Sequence, residues 1–455
     1  MYSKNDVCPF PPMGWNSYDY YDTTVNEQQV RANALYMKEN LLQYGWEYIV
    51  IDIQWSDPDA GKERPEIQYI PFNHFTMDEY GRQMPAVNRF PSAEGGKGFE
   101  HLASYIHSLG LKFGIHIMRG IPRLAAHLHM KVKGTSVTAD KIANPYSISR
   151  WNPDMYGVNY EAPGAQAYYD SLFELYAQWG VDYVKVDDIC NTNMYASSPY
   201  SAEKEIEMIA QAIKNCGRPM VLSLSPGPAV IEKAYHLERY SNMWRITDDF
   251  WDDYRLLKNM FERCAVWQNH VREGCWPDCD MLPLNVVGKG FADERKIRFT
   301  EAEQRTMLTL WCIFRSPLMI GTDLPQLDAK TLTLLTNRNV LELLINSHGA
   351  FEYSRSEKEA LWCSVRTNPE DAVYIALFNL SDEKRTVSAD IDSILCEIIQ
   401  RKLLSPKKIS GQFSLSAKGI FNLWTNTEIK SGKADTGPFT AELDVHDAML
   451  ISVRV

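Results

Sequence analysis

No apolar stretch of this chain approaches the roughly 20 residues needed to cross a bilayer. Its opening residues, MYSKNDVCPFPPMGW, lack the apolar core of a secretory leader. A cytoplasmic protein with no membrane partner is therefore expected. There is no long basic run, and acids outnumber bases to give a formal charge of −11. Neither nucleic acid nor an anionic surface is the expected partner. No Gly-rich turn follows the first β-run, which argues against a dinucleotide fold. Cysteines are nine, an odd count scattered from Cys8 to Cys396, which fits reduced thiols rather than a disulfide frame. Cys275 and Cys279 lie four apart, with no second pair to complete a zinc site.

What is present suits a globular enzyme. At 455 residues, 45% hydrophobic and 23% charged, the chain is long enough for a large barrel plus a smaller module. Aromatics reach 12%, with 12 Trp and 24 Tyr; they suit large packed cores or the faces of sugar rings. From about residue 10 onward, β-rich runs alternate with amphipathic stretches. YIVIDI (48–53), LKFGIHI (111–117), VDYVKVDD, PMVLSLS (219–225), MWRITDD (243–249), CDMLPL (279–284) and PLMIG are the later β-runs, and PPMGWNS stands at the front. About eight such units predict a (β/α)8 TIM barrel over 1–348. From 349 to 455 short β-runs such as AVYIALFNL and AMLISVRV dominate, and an antiparallel β-sandwich is predicted.

Chemistry in such barrels sits at the C-terminal ends of the strands. Read in order, those ends carry Tyr18, Asp52, His116, Lys185 with Asp187, Ser225, Arg245 with Asp249, and Asp280. Along a strand, residues i and i+2 share a face, so Lys185 sits beside Asp187 while Asp188 points away. A neighbouring cation favours the ionised carboxylate. Paired carboxylates with cations and aromatics suit glycoside hydrolysis, in which one acid attacks the anomeric carbon and the other assists the leaving oxygen.

Through PPMGWNSY, GLKFGIH, WGVDYVKVDD, WRITDDF, WPDCDML, WCIFRSPLMIGTDL and NLWTN, in that order, the chain resembles glycoside hydrolase family 27. This family contains α-galactosidases, α-N-acetylgalactosaminidases and β-L-arabinopyranosidases. The resemblance covers most of the chain and implies a barrel followed by a β-sandwich. It also implies a retaining double displacement, with Asp187 as nucleophile and Asp249 as acid/base about 5–5.5 Å apart. Tyr18 matches the aromatic on which the sugar packs. Asp52, Lys185, Arg245 and Asp280 match residues that hold ring hydroxyls or align the acids. Such chemistry needs no metal or organic cofactor, its partner is a small oligosaccharide or glycoside, and the family is compatible with a homo-oligomer.

The departures bear on specificity. In VIDIQW, Asp52 keeps the first acid of the family's IDDCW, but Ile53 replaces the second, which would grip O6 of galactose. A buried, unpaired hydroxyl costs roughly 1–3 kcal/mol. β-L-Arabinopyranose has the α-D-galactose ring without C6, so Ile53 points to arabinopyranosides. The alternative is an α-galactosidase, or an α-N-acetylgalactosaminidase, in which another residue holds O6. Ser225, Pro226 and Gly227 replace a Cys-Glu-Trp-like wall near O2, and His116 replaces a tyrosine. His116 either bonds O4 or O6 or is a core histidine. The loop from Gly120 to about Gly164, with RWNPDMYG, either caps the pocket or meets a neighbouring subunit. A sugar-binding protein without catalysis is disfavoured because both acids are present.

Overall fold

The structure is a computed structural model that describes residues 3–192, 197–404, 419–429 and 438–455. Eight parallel strands form one sheet: β1 (Met13–Asn16), β2 (Tyr48–Ile51), β3 (Lys112–Met118), β4 (Tyr183–Asp187), β5 (Val221–Leu224), β6 (Met243–Arg245), β7 (Trp276–Asp278) and β8 (Leu318–Ile320). Their spatial order is β7-β6-β5-β4-β3-β2-β1-β8. Leu282, just past β7, bridges in parallel to Ile320 of β8, and the sheet thereby curls into a TIM-type barrel. The strands are short apolar runs buried on both faces, as parallel strands under helices must be. Gly14 permits the close approach of β1 to β2, because a Cβ there would collide with the Tyr48 carbonyl. The Trp15 indole ties β1 to the end of β8 by donating to the Thr322 carbonyl at 2.7 Å.

The helices between these strands start and stop where local chemistry dictates. α1 (Glu27–Asn40) opens on a capping box of Asn26 with Gln29. α2 is Glu100–Ser108, and α3 (Ala165–Trp179) ends at Gly180, whose φ of 83° suits a residue without Cβ. α4 (Glu203–Cys216) buries Ile206, Ile209 and Ile213, and α5 is Ala234–Tyr240. The seventh strand differs from the sequence expectation. It spans Trp276–Asp278 rather than 279–284, because Asp280 adopts a φ of 76° that breaks an extended run. The long insertion after β3 forms a small antiparallel sheet, with Met155–Val158 between Ile121–Pro122 and Ala143–Ile148.

Packing does not divide the chain at a single point. One compact unit holds Met1–Phe250, Glu273–Ile297 and Leu318–Asp328, and so all eight barrel strands. The other holds Trp251–Arg272, Arg298–Pro317 and Ala329–Val455. In it, α6 (Tyr254–Trp267) and α7 (Glu301–Phe314) pack on the C-terminal sheet. Phe261 meets Phe378 at 4.9 Å and Phe314 meets Trp362 at 6.0 Å, both edge-on. That sheet is antiparallel with six strands, and a two-stranded sheet pairs 385–389 with 439–443. A helix, Ile391–Gln400, was not expected from the β-rich pattern. Asp390 caps it, and Ile394, Leu395 and Ile398 enter the core at helical spacing. NLWTN forms the turn between Ile420–Asn422 and Thr427–Ile429. Among the described residues, no helix is long and apolar enough to cross a membrane.

Candidate active site

At the end of β4, the side chain of Asp187 is held by a histidine. Nε2 of His116 lies 3.0 Å from Asp187 Oδ2, and the Asp188 N–H donates to Oδ1 at 2.8 Å. An ionised carboxylate only accepts, so Nε2 carries the proton of that contact. Burial works against ionising Asp187, but the His116 hydrogen bond and charge, then Lys185 and Arg245, outweigh it and hold the carboxyl below its ordinary range. His116 is 1% exposed. Its contact on this side is made directly to Asp187.

Lys185 favours the charged form of Asp187 from nearby. It shares a strand face with Asp187, yet its Nζ makes its ion pair with Asp52 Oδ2, at 2.9 Å. The amide of Asn16 donates to the same oxygen at 2.7 Å, and the Ile53 N–H donates to Oδ1 at 2.8 Å. Burial opposes the Asp52 charge, but Lys185 and then His116 hold the carboxyl well below the usual carboxylate range. Lys185 thus reaches Asp187 as a nearby charge, while it is fastened across β3 to Asp52 at the end of β2. Its ammonium also lies 5.8 Å from the centre of the Tyr18 ring. Tyr18 is half-buried, accepts from Gln68 at 3.0 Å, is hydrogen-bonded to the Tyr69 hydroxyl, and stands edge-on to Phe291.

Ile53 follows Asp52 and is 3% exposed. With Met118 and Met155 it forms a separate apolar cluster, against which Tyr18 and Tyr69 pack. Next to the Asp52 carboxylate the chain has therefore built an apolar wall.

On the opposite side, Arg245 ends β6. Its guanidinium contacts Asp249 Oδ1 at 2.7 Å and Asp280 Oδ2 at 3.5 Å. Asp249 is the accessible acid of the group, with a side chain 58% exposed. Asp280 is buried, and its Oδ2 accepts the Phe250 N–H at 2.8 Å. Two further buried acids were not singled out from the sequence. Asp278 accepts the Asp280 N–H at 2.9 Å, and burial, with Asp280 nearby, pushes it up to about 7. Asp19 packs so closely on Gly321 that a Cβ there would strike its carboxyl, and Oδ2 has no hydrogen-bond partner. Burial raises Asp19 well above the ordinary carboxylate range. The acids at this barrel mouth are thus split in the way that acid–base chemistry needs. Asp52 and Asp187 are held charged by cationic neighbours, while Asp19, Asp278 and Asp280 are pushed toward the neutral form.

A raised carboxyl favours the fold below its unfolded pKa, and that contribution is lost as pH rises through the folded value. For Asp278 the window runs from about 4 to about 7. Asp278→Asn, which keeps an acceptor for the Asp280 N–H, is expected to melt roughly 2–4 °C higher than the parent at pH 8.5. No such gain is expected at pH 4. Melting curves at both pH values decide it, and an equal shift at each contradicts the assignment.

Two expectations fare differently. Asp188 does point away, as alternation requires: Arg119 Nη2 lies 2.9 Å from its Oδ2, and Arg119 also reaches Glu205 at 3.1 Å. Burial raises Asp188 to about 6 despite Arg119. Ser225 is not a wall residue. It is 0% exposed, with its hydroxyl unpartnered, and the half-buried Pro226 stands nearer the surface. All these residues lie in the barrel unit. Elsewhere among the described residues, Glu203, Glu207 and His236 come together as metal-type donors. Lys233 and Lys204 already neutralise their carboxylates, each at 2.8 Å.

The family profile described as alpha galactosidase A matches residues 119–347. A β-L-arabinopyranosidase from Geobacillus stearothermophilus superposes with a TM-score of 0.88 and 46% identity, over 99% of this chain and 98% of that one. A Bacillus halodurans chain, provisionally named an α-N-acetylgalactosaminidase, gives 0.82 at 46% identity, over 98% and 97%. Alpha-galactosidase 3 of Arabidopsis thaliana is 23% identical over 451 residues, 98% of this chain and 82% of its own length. With the barrel, the β-rich second unit and these whole-length likenesses in agreement, the chain belongs to glycoside hydrolase family 27, the α-galactosidase family of glycoside hydrolases.

Proposed function

We propose that the protein is a retaining, exo-acting glycosidase that removes a terminal sugar of α-D-galactopyranosyl configuration and prefers β-L-arabinopyranosides. The observation that carries the preference is the aliphatic wall of Ile53, Met118 and Met155 beside Asp52. Such a wall offers no acceptor to a C6 hydroxyl, whereas a pentopyranose has nothing there to leave unpaired. Support comes from the Geobacillus enzyme, whose variant has been crystallised in complex with arabinose.

In this reading Asp187 attacks the anomeric carbon, and Asp249 protonates the leaving oxygen, then takes a proton from water. Asp52 and Lys185 accept from and donate to ring hydroxyls, Arg245 and Asp280 align Asp249, and Tyr18 offers a ring face. A cytoplasmic location belongs to the same proposal and accords with nine free cysteines.

An α-galactosidase is the second reading, favoured by Asp154. Its Oδ1 is buried without a partner, and it lines a cavity shared with Ile53, His116 and Met118. The specific activities on arabinoside and galactoside separate the two readings.

His116 supplies a test of the nucleophile's surroundings. His116→Phe removes the side-chain donor to Asp187 and should raise the pKa of that carboxyl. A kcat about 10- to 100-fold lower is expected, with the acid limb of the rate profile moved to higher pH. Loss of activity with an unmoved limb would mean that His116 only packs.

A further inference from the structure

Outside the sugar pocket, an aromatic path leads away from Tyr18. Tyr69 is half-buried, packs on the Ile53–Met118–Met155 cluster and hydrogen-bonds Tyr18. Its ring is tilted against that of Trp151, with centroids 5.4 Å apart. Trp151 is the outermost of the three and is 36% exposed.

The backbone around Trp151 is fastened rather than loose. Asn152 is buried, donates its N–H to Ser149 Oγ at 3.3 Å, and accepts from the Asp154 N–H at 3.1 Å. Gln54, next to Ile53 in the chain, donates to Asp154 Oδ2 at 3.3 Å, and Met155 enters the Ile53 cluster. The insertion that carries Trp151 is therefore pinned to the residues that shape the sugar pocket. A partly exposed indole held this way loses little freedom when a ring stacks on it.

We propose that Trp151, supported by Tyr69, forms a subsite for the leaving group, and that the leaving group it takes is a second pyranose ring. This rests on the glycosidase reading above and adds a substrate class to it: the enzyme acts on oligosaccharides in preference to small alkyl glycosides. The apolar C–H face of the leaving sugar lies on the exposed part of the indole, while the terminal sugar occupies the pocket beside Tyr18.

The test compares kcat/KM for a disaccharide whose leaving group is glucose with kcat/KM for the methyl glycoside of the same terminal sugar. The terminal sugar is whichever of arabinopyranose and galactose the parent enzyme cleaves faster. In Trp151→Ala the disaccharide-to-methyl ratio is expected to fall about tenfold, while Trp151→Phe keeps at least about a third of it. A ratio unchanged within about twofold in Trp151→Ala overturns the subsite, however far both constants fall. So does a Phe variant as low as the Ala variant. Because the ratio is taken within one terminal sugar, it can fail while the arabinoside preference stands, and the reverse is equally visible.

Discussion

Asp187→Ala is expected to lower kcat by about 10⁴-fold or more while leaving the fold intact. The carboxylate sits at the tip of β4, where it contacts the His116 side chain and accepts the Asp188 N–H. Its removal leaves room for a small anion beside Lys185 and Arg245, both of which gain charge-favouring stabilisation from the surrounding acids. Azide should therefore enter and restore turnover. Attack by azide is a single displacement, so the glycosyl azide should have the anomeric configuration opposite to that of the substrate. Near-full activity without azide would remove Asp187 from the reaction. A single cooperative melt at pH 7 is the control for folding.

The second large effect concerns Ile53. Ile53→Asp should lower kcat/KM for a β-L-arabinopyranoside, raise it for an α-D-galactopyranoside, and so shift the ratio about 10- to 100-fold toward galactose. The new carboxylate would replace the aliphatic wall against which Met118, Met155 and Tyr69 pack, and it would stand beside the buried Asp52. Lys185 is already paired with Asp52, at 2.9 Å. Some loss of stability is expected from a second buried charge. Ile53→Asn, which can bond O6 without adding charge, should shift the ratio in the same direction by less. A ratio unchanged within about twofold in both variants would mean that the wall does not read C6.

The strand-borne parts of the site were legible in the sequence because strand geometry is periodic. YVKVDD places Lys185 and Asp187 on one face and Asp188 on the other. The structure agrees, with Asp188 turned to Arg119. The same period of two in WPDCD could have flagged Asp278 along with Asp280. What periodicity cannot supply is the choice of partner between strands. Lys185 has Asp187 two residues away, yet its ion pair is with Asp52 on another strand, and the contact with Asp187 falls to His116 of β3. The resemblance implies a wall residue at Ser225, but the structure buries that side chain completely.

Loop-borne parts were hidden more deeply. Tyr69 and Trp151 lie in irregular segments without hydrophobic periodicity, and they meet only because distant loops fold over the barrel mouth. In the second unit, alternation correctly announced strands, but IDSILCEIIQ is a helix whose apolar residues recur every three or four positions.

The measurement that bears most directly on the proposed function is the ratio of kcat/KM for p-nitrophenyl β-L-arabinopyranoside to that for p-nitrophenyl α-D-galactopyranoside, with the unmodified protein. The leaving group is the same in both, so the ratio reads only the presence of C6. An arabinoside preference of about tenfold or more is predicted, the size of one hydroxyl left without a partner against Ile53. A preference for the galactoside would contradict it and assign O6 to another residue, with Asp154 the first to replace.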